Sequence, residues 1–156
     1  MSTFDIDELV DLDNQVTEVS GWRVEQPRPE EATVSATEEA LGFQFPPTFR
    51  HFIANSRYYA GITQDVNRPL GLVWFNRLFH GGGDYYLPDF LILFMGGHDG
   101  ACYCFDSRFR DESGECPVVY WDAEEMGEQD VESLHSKHMT FVQFLESIVD
   151  NELKRL

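Results

Sequence analysis

The side chains with the most chemical potential in this chain lie close together in the sequence. Cys102 and Cys104 are two residues apart, and His98 and Cys116 flank them. Alternate residues of a strand point to one face, so two thiolates could reach one metal ion there. The spacing is not that of a zinc knuckle or ribbon, however, and free cysteine is a common core residue. The sequence therefore favours packed thiols over a metal centre, and it predicts no cofactor.

The histidines and glycines give no stronger sign of catalysis. His98 and Asp99 are adjacent inside a glycine-rich stretch, so their side chains diverge and a role in a turn is favoured over an acid–base pair. His135 and His138 could share a helical face, but the third ligand and the glutamate of a hydrolytic metal site are missing. The glycines at 81–83 lack the Lys-Ser/Thr of a phosphate loop. We predict that the protein is not an enzyme.

Three short runs of aliphatic and aromatic residues form the centre of the chain. They span residues 89–95, 101–106 and 117–122, and glycine or polar clusters separate them. This pattern is typical of consecutive antiparallel strands. The first run is apolar throughout, so it should be covered on both faces. The sequence thus predicts a sheet inside and helices outside.

Apolar residues at helical spacing surround the predicted strands. They indicate helices after Asp5, between Pro29 and Gly42, after Pro46, from Leu72 to Phe79, and after Thr140. The last of these has an apolar face that should dock on the sheet. We expect an α+β fold with one domain over residues 1–156, in which residues 1–28 are an N-terminal helical extension.

The composition limits the classes of partner. The chain has 156 residues, 42% of them hydrophobic, and a net charge of −17. That charge repels nucleic acid and anionic membranes and attracts cationic partners. No apolar run approaches the about 20 residues needed to span a bilayer. Three cysteines do not form a disulfide framework, which agrees with a reducing compartment, and we expect a cytoplasmic protein.

The densest run of acid follows the third predicted strand. We interpret it as a solvated arm or a short helix, and it has no base before Lys137. Solubility and partner binding are both compatible with such a run. Its six acidic residues are Asp122, Glu124, Glu125, Glu128, Asp130 and Glu132.

Four stretches of the chain together carry a family resemblance. They are residues 38–52, the strand ending at 103–106, the strand at 117–122 and the helix at 141–145. In order and spacing they resemble the bacterial and fungal SUKH superfamily, and the resemblance covers the chain from about residue 30 to the end. Members of that superfamily are similar to fungal cell-wall synthesis regulators and include many immunity proteins that neutralise toxins. The resemblance implies a non-enzymatic domain that binds other proteins.

The resemblance and the charge point to the same function. We predict an immunity protein that binds a basic toxin, such as a nuclease; a regulatory scaffold is the alternative. The predicted contact residues are the six acids, with Tyr58, Tyr59, His98 and Asp99 as further candidates. The resemblance gives structural roles to Gly42 (helix end), Pro46 (helix start), Gly100 (hairpin turn), and Asp106 and Trp121 (strand ends).

Overall fold

The computed structural model describes residues 5–21, 23–96 and 99–156. In these residues the chain forms five α-helices and three β-strands. The helices are α1 (Ile6–Ser20), α2 (Glu31–Leu41), α3 (Pro47–Asn55), α4 (Leu72–His80) and α5 (Phe141–Lys154). The strands are β1 (Leu91–Gly96), β2 (Ala101–Asp106) and β3 (Val118–Asp122). Short 3-10 helices cover Ser107–Phe109, Glu128–Asp130 and Glu132–Lys137.

The three strands form one antiparallel sheet in the order β1-β2-β3. Cys104 of β2 lies between Leu93 of β1 and Val119 of β3, and the β1–β2 register shifts between Leu93 and Met95. Residues 91–94 of β1 are all buried, and successive residues of a strand point to opposite faces, so β1 is covered on both faces as expected. The predicted α+β fold with a central antiparallel sheet is confirmed.

A cluster of aromatic rings joins the helices to the sheet. Phe49 of α3 is fully buried, and its ring lies 5.2 Å from Phe105 and 5.4 Å from Phe94 of the sheet. Phe144 of α5 contacts Phe94 at 5.2 Å and Tyr103 at 4.7 Å between ring centroids. The expected docking of the last helix on the sheet is confirmed. Because edge-to-face ring pairs stabilise beyond simple area burial, this cluster contributes more to packing than its buried area alone.

Side chains close the outer edge of β1, which would otherwise leave unpaired backbone groups. The Asn76 amide of α4 donates to the Leu93 carbonyl at 2.8 Å and accepts from the Leu93 N–H at 2.9 Å. His80 contacts the Leu91 carbonyl, and the Tyr59 hydroxyl donates to the Phe94 carbonyl. Edge strands that are satisfied in this way cannot template pairing with another chain.

Local signals explain where the helices begin and end. Asp5 caps α1 by accepting from the Glu8 N–H at 2.8 Å, as predicted. Gly42 follows α2 with φ 65°, a left-handed conformation that favours glycine. Pro46 immediately precedes the first residue of α3. The helix predicted between Pro29 and Gly42 begins at Glu31, with Glu30 at the N-cap position.

One carboxylate ties α2 to α3. Glu38 accepts from the Phe45 N–H at 2.6 Å and from two nitrogens of Arg50 at 2.6 and 3.2 Å. Burial would raise the pKa of Glu38, but the hydrogen bonds from Arg50 and from the backbone of Phe45 outweigh burial and lower it. These contacts give a structural reason for the residue types in the 38–52 segment.

The N-terminal helix is part of the packed domain. α1 lies against α5 and also contacts α3, and its Leu9, Val10 and Val16 are buried. Among the described residues, none of the helices combines the length and apolarity that crossing a membrane requires.

Candidate protein-binding surface

The acidic segment, defined as Asp122–Glu132, has an anchored backbone. Ala123 is 1% exposed and its N–H donates to the Gly100 carbonyl at 2.8 Å. Just beyond the segment, the 3-10 helix Glu132–Lys137 contacts β3, and its Leu134 is fully buried. Of the two alternatives predicted for this segment, a solvated arm or a short helix, the structure bears out the short helix, because Glu128–Asp130 and Glu132–Lys137 form 3-10 helices.

Two of the six acids shape the backbone. Asp122 accepts from the N–H groups of Glu124 at 3.0 Å and Glu125 at 3.3 Å. Asp130 accepts from the Gly127 N–H at 2.8 Å. Such bonds from aspartate to nearby backbone are typical of turns and helix starts. The sequence interpretation treated all six acids as equivalent, so these two structural roles were missed.

The other four acids project into solvent. They are exposed, and no ion pair reaches them from any part of the chain that the structure describes. Like charges at this density repel one another, and no described cation offsets that repulsion by an ion pair. We call them the four glutamates: Glu124, Glu125, Glu128 and Glu132.

The β1–β2 hairpin brings another acid to the same end of the sheet. Gly100 has φ 85°, and a Cβ atom there would lie 2.8 Å from Glu124 Cγ and 3.3 Å from Asp122 Oδ1. Asp99 immediately precedes it and accepts from the Ala101 N–H at 3.1 Å. Asp99 thus joins the acidic segment, and only glycine fits between them. His98, also predicted as a contact residue, lies outside the described residues.

Tyr58 and Tyr59 lie elsewhere. Tyr58 is 8% exposed, with the guanidinium groups of Arg23 and Arg57 over its ring at 5.9 and 5.5 Å. The Tyr59 hydroxyl is bonded to the Phe94 carbonyl, and burial raises its pKa. Both tyrosines line a cleft of about 540 Å³ to which the acidic segment contributes no residue. The predicted contact residues therefore divide into two regions, and the tyrosines are used mainly in packing.

A comparison with models of protein families identifies the family to which this chain belongs. The family model SUKH_5, described as SMI1-KNR4 cell-wall, matches residues 6–149. The chain belongs to the SUKH superfamily. The match begins in α1 and ends in α5, so it includes the whole sheet, and the resemblance noted from the four stretches is confirmed. A search of curated proteins found no match.

A buried charge network that the sequence interpretation missed links the two ends of this SUKH domain. Arg23 Nη2 lies 3.0 Å from Asp13 Oδ1, 2.5 Å from Glu152 Oε1 and 2.6 Å from Thr17 Oγ1. Asp13 and Glu152 are 1% and 3% exposed. Burial, and next the charge of Asp13, raise the pKa of Glu152. The sequence could indicate this network only through the polar residues Asp13 and Thr17, which α1 buries. Glu152 is 129 residues from Arg23, so no local pattern connects the two.

A third buried carboxylate, Asp106, lies at the C-terminal end of β2. Asp106 is fully buried and accepts from Arg108 Nε at 3.0 Å and Nη2 at 2.8 Å, and it lies 3.1 Å from His138 Nε2. Burial would raise the pKa of Asp106, but the hydrogen bonds from Arg108 and His138 lower it. The rings of His138 and His135 pack edge-to-face against each other and beside Phe109, so these histidines belong to a structural cluster.

Trp121 and the three cysteines are buried core residues in or next to the sheet. The fully buried Trp121 donates its ring N–H to the Tyr86 carbonyl at 2.7 Å. The sulfurs of Cys102 and Cys104 are 3.7 Å apart, and Cys116 is also buried. Burial raises the pKa of Cys104 and of Cys116, which favours the thiol over a metal-binding thiolate. In residues 5–21, 23–96 and 99–156, no three His, Cys, Asp or Glu side chains are grouped to hold a metal.

Proposed function

We propose that this SUKH domain is an immunity protein, which neutralises a cationic protein toxin by binding it through the acidic segment. One observation carries the proposal: the four glutamates are exposed on an anchored backbone and lack cationic partners among the described residues. The fold gains nothing from placing them together, since like charges repel. A basic partner would relieve that repulsion on binding.

The proposed action is binding and not chemistry. SUKH domains are generally non-catalytic, and the histidines and cysteines described above are occupied in packing or in structural hydrogen bonds. A nuclease is a suitable target, because an enzyme that binds nucleic acid presents a basic surface. The four glutamates would compete for that surface and would also speed the encounter of the two proteins.

The test is co-expression with the protein encoded by the adjacent gene. The parent should co-purify with that protein and restore growth of cells that express it. Replacing the four glutamates by glutamine should weaken the complex by at least about tenfold, because several charges facing a basic partner are lost at once.

A matched control removes the same amount of charge elsewhere. Its four substitutions, Asp11→Asn, Glu39→Gln, Asp84→Asn and Glu112→Gln, are all at exposed positions. Both variants thus start from the net charge of −17 and lose four negative charges. The control should keep parental affinity. If both variants bind equally well, or if the parent neither binds nor protects, the proposal is wrong.

The family description supports a second candidate function, a regulatory scaffold related to cell-wall synthesis. A scaffold binds its partner without blocking an active site. Binding of the adjacent gene's product without any protection of growth would favour this function over immunity.

A further inference from the structure

Tyr120 is exposed in the middle of a buried strand. It is 43% exposed, whereas Val118, Val119 and Trp121 of β3 are fully buried. Its ring packs edge-on against Tyr103 of β2, with centroids 5.6 Å apart, and Tyr103 in turn packs on Phe144. The Tyr120 ring therefore contacts the aromatic core through Tyr103, while part of the ring is exposed to solvent.

Carboxylates flank this ring. Asp122 follows Tyr120 by two residues on β3, so the two side chains point to the same face of the sheet. Burial, which is the largest cause, and the charges of Asp122, Tyr103 and Asp99 raise the pKa of Tyr120. Asp122 pairs with Ala101 across the ladder, and Asp99 accepts from the Ala101 N–H, so both acids belong to the same end of the sheet. Neither acid is in an ion pair within the described part of the chain.

Elsewhere in this chain, an aromatic ring with a neighbouring carboxylate binds an arginine side chain. At the other end of β2, the Arg108 guanidinium lies 3.7 Å above the Phe90 ring and donates two hydrogen bonds to Asp106. An aromatic face with a carboxylate at its edge suits a planar guanidinium, which can stack and donate together. Tyr120 with Asp122 and Asp99 offers the same groups but has no arginine of its own among the described residues.

We propose that Tyr120, Asp122 and Asp99 form a docking site for an arginine side chain of the partner protein. The site rests on the proposed function, since it adds an anchor next to the four glutamates. It prefers arginine to lysine, because an ammonium group cannot stack on the ring and donate two parallel hydrogen bonds. The partner is thus a basic protein with an exposed arginine at its contact surface.

The experiment measures binding of an oligoarginine peptide and an oligolysine peptide of equal length by fluorescence anisotropy. Tyr120→Ala should weaken oligoarginine binding about three- to tenfold, the range expected for an exposed or partly desolvated cation–π contact. Oligolysine binding should change less. Tyr120→Leu, which keeps apolar bulk but removes the ring, should behave like the alanine variant, so that a folding defect of one variant does not decide the result.

Phe109→Ala is the matched control, because Phe109 is 40% exposed and lies beyond the other end of β2. It should bind both peptides like the parent. Parental oligoarginine binding by both Tyr120 variants would overturn the docking site, even if the four glutamates prove essential for the toxin complex. Loss of oligoarginine binding together with no toxin complex would instead overturn the proposed function and leave the docking site in place.

Discussion

Two groups of carboxylates in this domain differ in burial and in ion pairing. Asp13, Glu152 and Asp106 are buried, and each contacts an arginine. The four glutamates are exposed, and no cation pairs with them in the described chain. Burying a charge without a partner costs several kcal/mol, whereas an exposed charge needs no partner to fold. The comparison separates the acid that the fold requires from the acid that is available for binding.

The buried acids also differ from one another. Asp106 has both Arg108 and His138 as donors, and its pKa is lowered. Glu152 shares Arg23 with Asp13, and its pKa is raised by burial and by that second carboxylate. At Asp106 the donated hydrogen bonds outweigh burial, whereas at Glu152 burial and the charge of Asp13 outweigh the hydrogen bonds and charge that favour the carboxylate.

Phe144→Ala sets the scale for any structural change. Phe144 is 1% exposed and packs on Phe94 and Tyr103, so truncation leaves a cavity between α5 and the sheet. The free energy of unfolding should fall by about 3–5 kcal/mol. Urea denaturation followed by circular dichroism measures this, and a parental midpoint would show that α5 is not docked as described.

Arg23→Ala tests the buried group directly. It removes the cation between Asp13 and Glu152, and truncating one side of a buried ion pair costs about 3 kcal/mol or more. Arg28→Ala, at an exposed position, is the control and should stay within about 0.5 kcal/mol of the parent. If the two variants have equal denaturation midpoints, the distinction between buried and exposed acid loses its energetic basis.

Glu152→Gln should change how stability depends on pH. A raised pKa means that the folded state holds the proton of Glu152 more tightly than the unfolded state does. The parent should therefore lose stability, relative to the variant, as pH rises from the ordinary glutamate value of 4.5 through the raised pKa. Thermal melts across that range test it, with Glu128→Gln as the control, which should run parallel to the parent. A parent that instead gained stability relative to the Glu152→Gln variant as pH rises would contradict the raised pKa.

Neutralising the four glutamates should have the smallest effect on folding. Because they are exposed and unpaired in the described structure, their replacement by glutamine should change the free energy of unfolding by less than about 0.5 kcal/mol per site, with relief of repulsion favouring the variant. A variant that also carries Asp130→Ala should be less stable, since the Asp130 carboxylate accepts from the Gly127 N–H and alanine has no acceptor there. Clear destabilisation by the four glutamine substitutions alone would show that the acid is structural after all.

Local patterns predicted most of the fold. The helix expected at 72–79 is α4 at Leu72–His80, and the Thr140–Gln143 capping box that opens α5 is present. These features depend on residues a few positions apart. The Asp13–Arg23–Glu152 network joins residues distant in sequence, so no local period could indicate it.

The predicted contact residues were grouped less well. Tyr58 and Tyr59 are aromatic residues in a loop, which sequence alone cannot distinguish from surface contacts, and tertiary packing covers them. Asp122 and Asp130 looked like the neighbouring glutamates until the backbone geometry showed which N–H groups they accept from. Tyr120 alternates with buried residues, and only the placement of Asp99 and Asp122 beside it suggests a role in binding.

The most direct test is the rate constant for association with the protein encoded by the adjacent gene, the proposed toxin, measured by stopped flow at increasing salt. The parent should associate fast at low ionic strength and slow steeply as salt rises, because exposed charges are screened beyond about 10 Å at 0.1 M. The variant with four glutamines should associate slowly with little salt dependence, while the charge-matched control retains the parental rates. Equal rates and equal salt dependence for all three proteins would contradict the claim that the exposed acid serves binding.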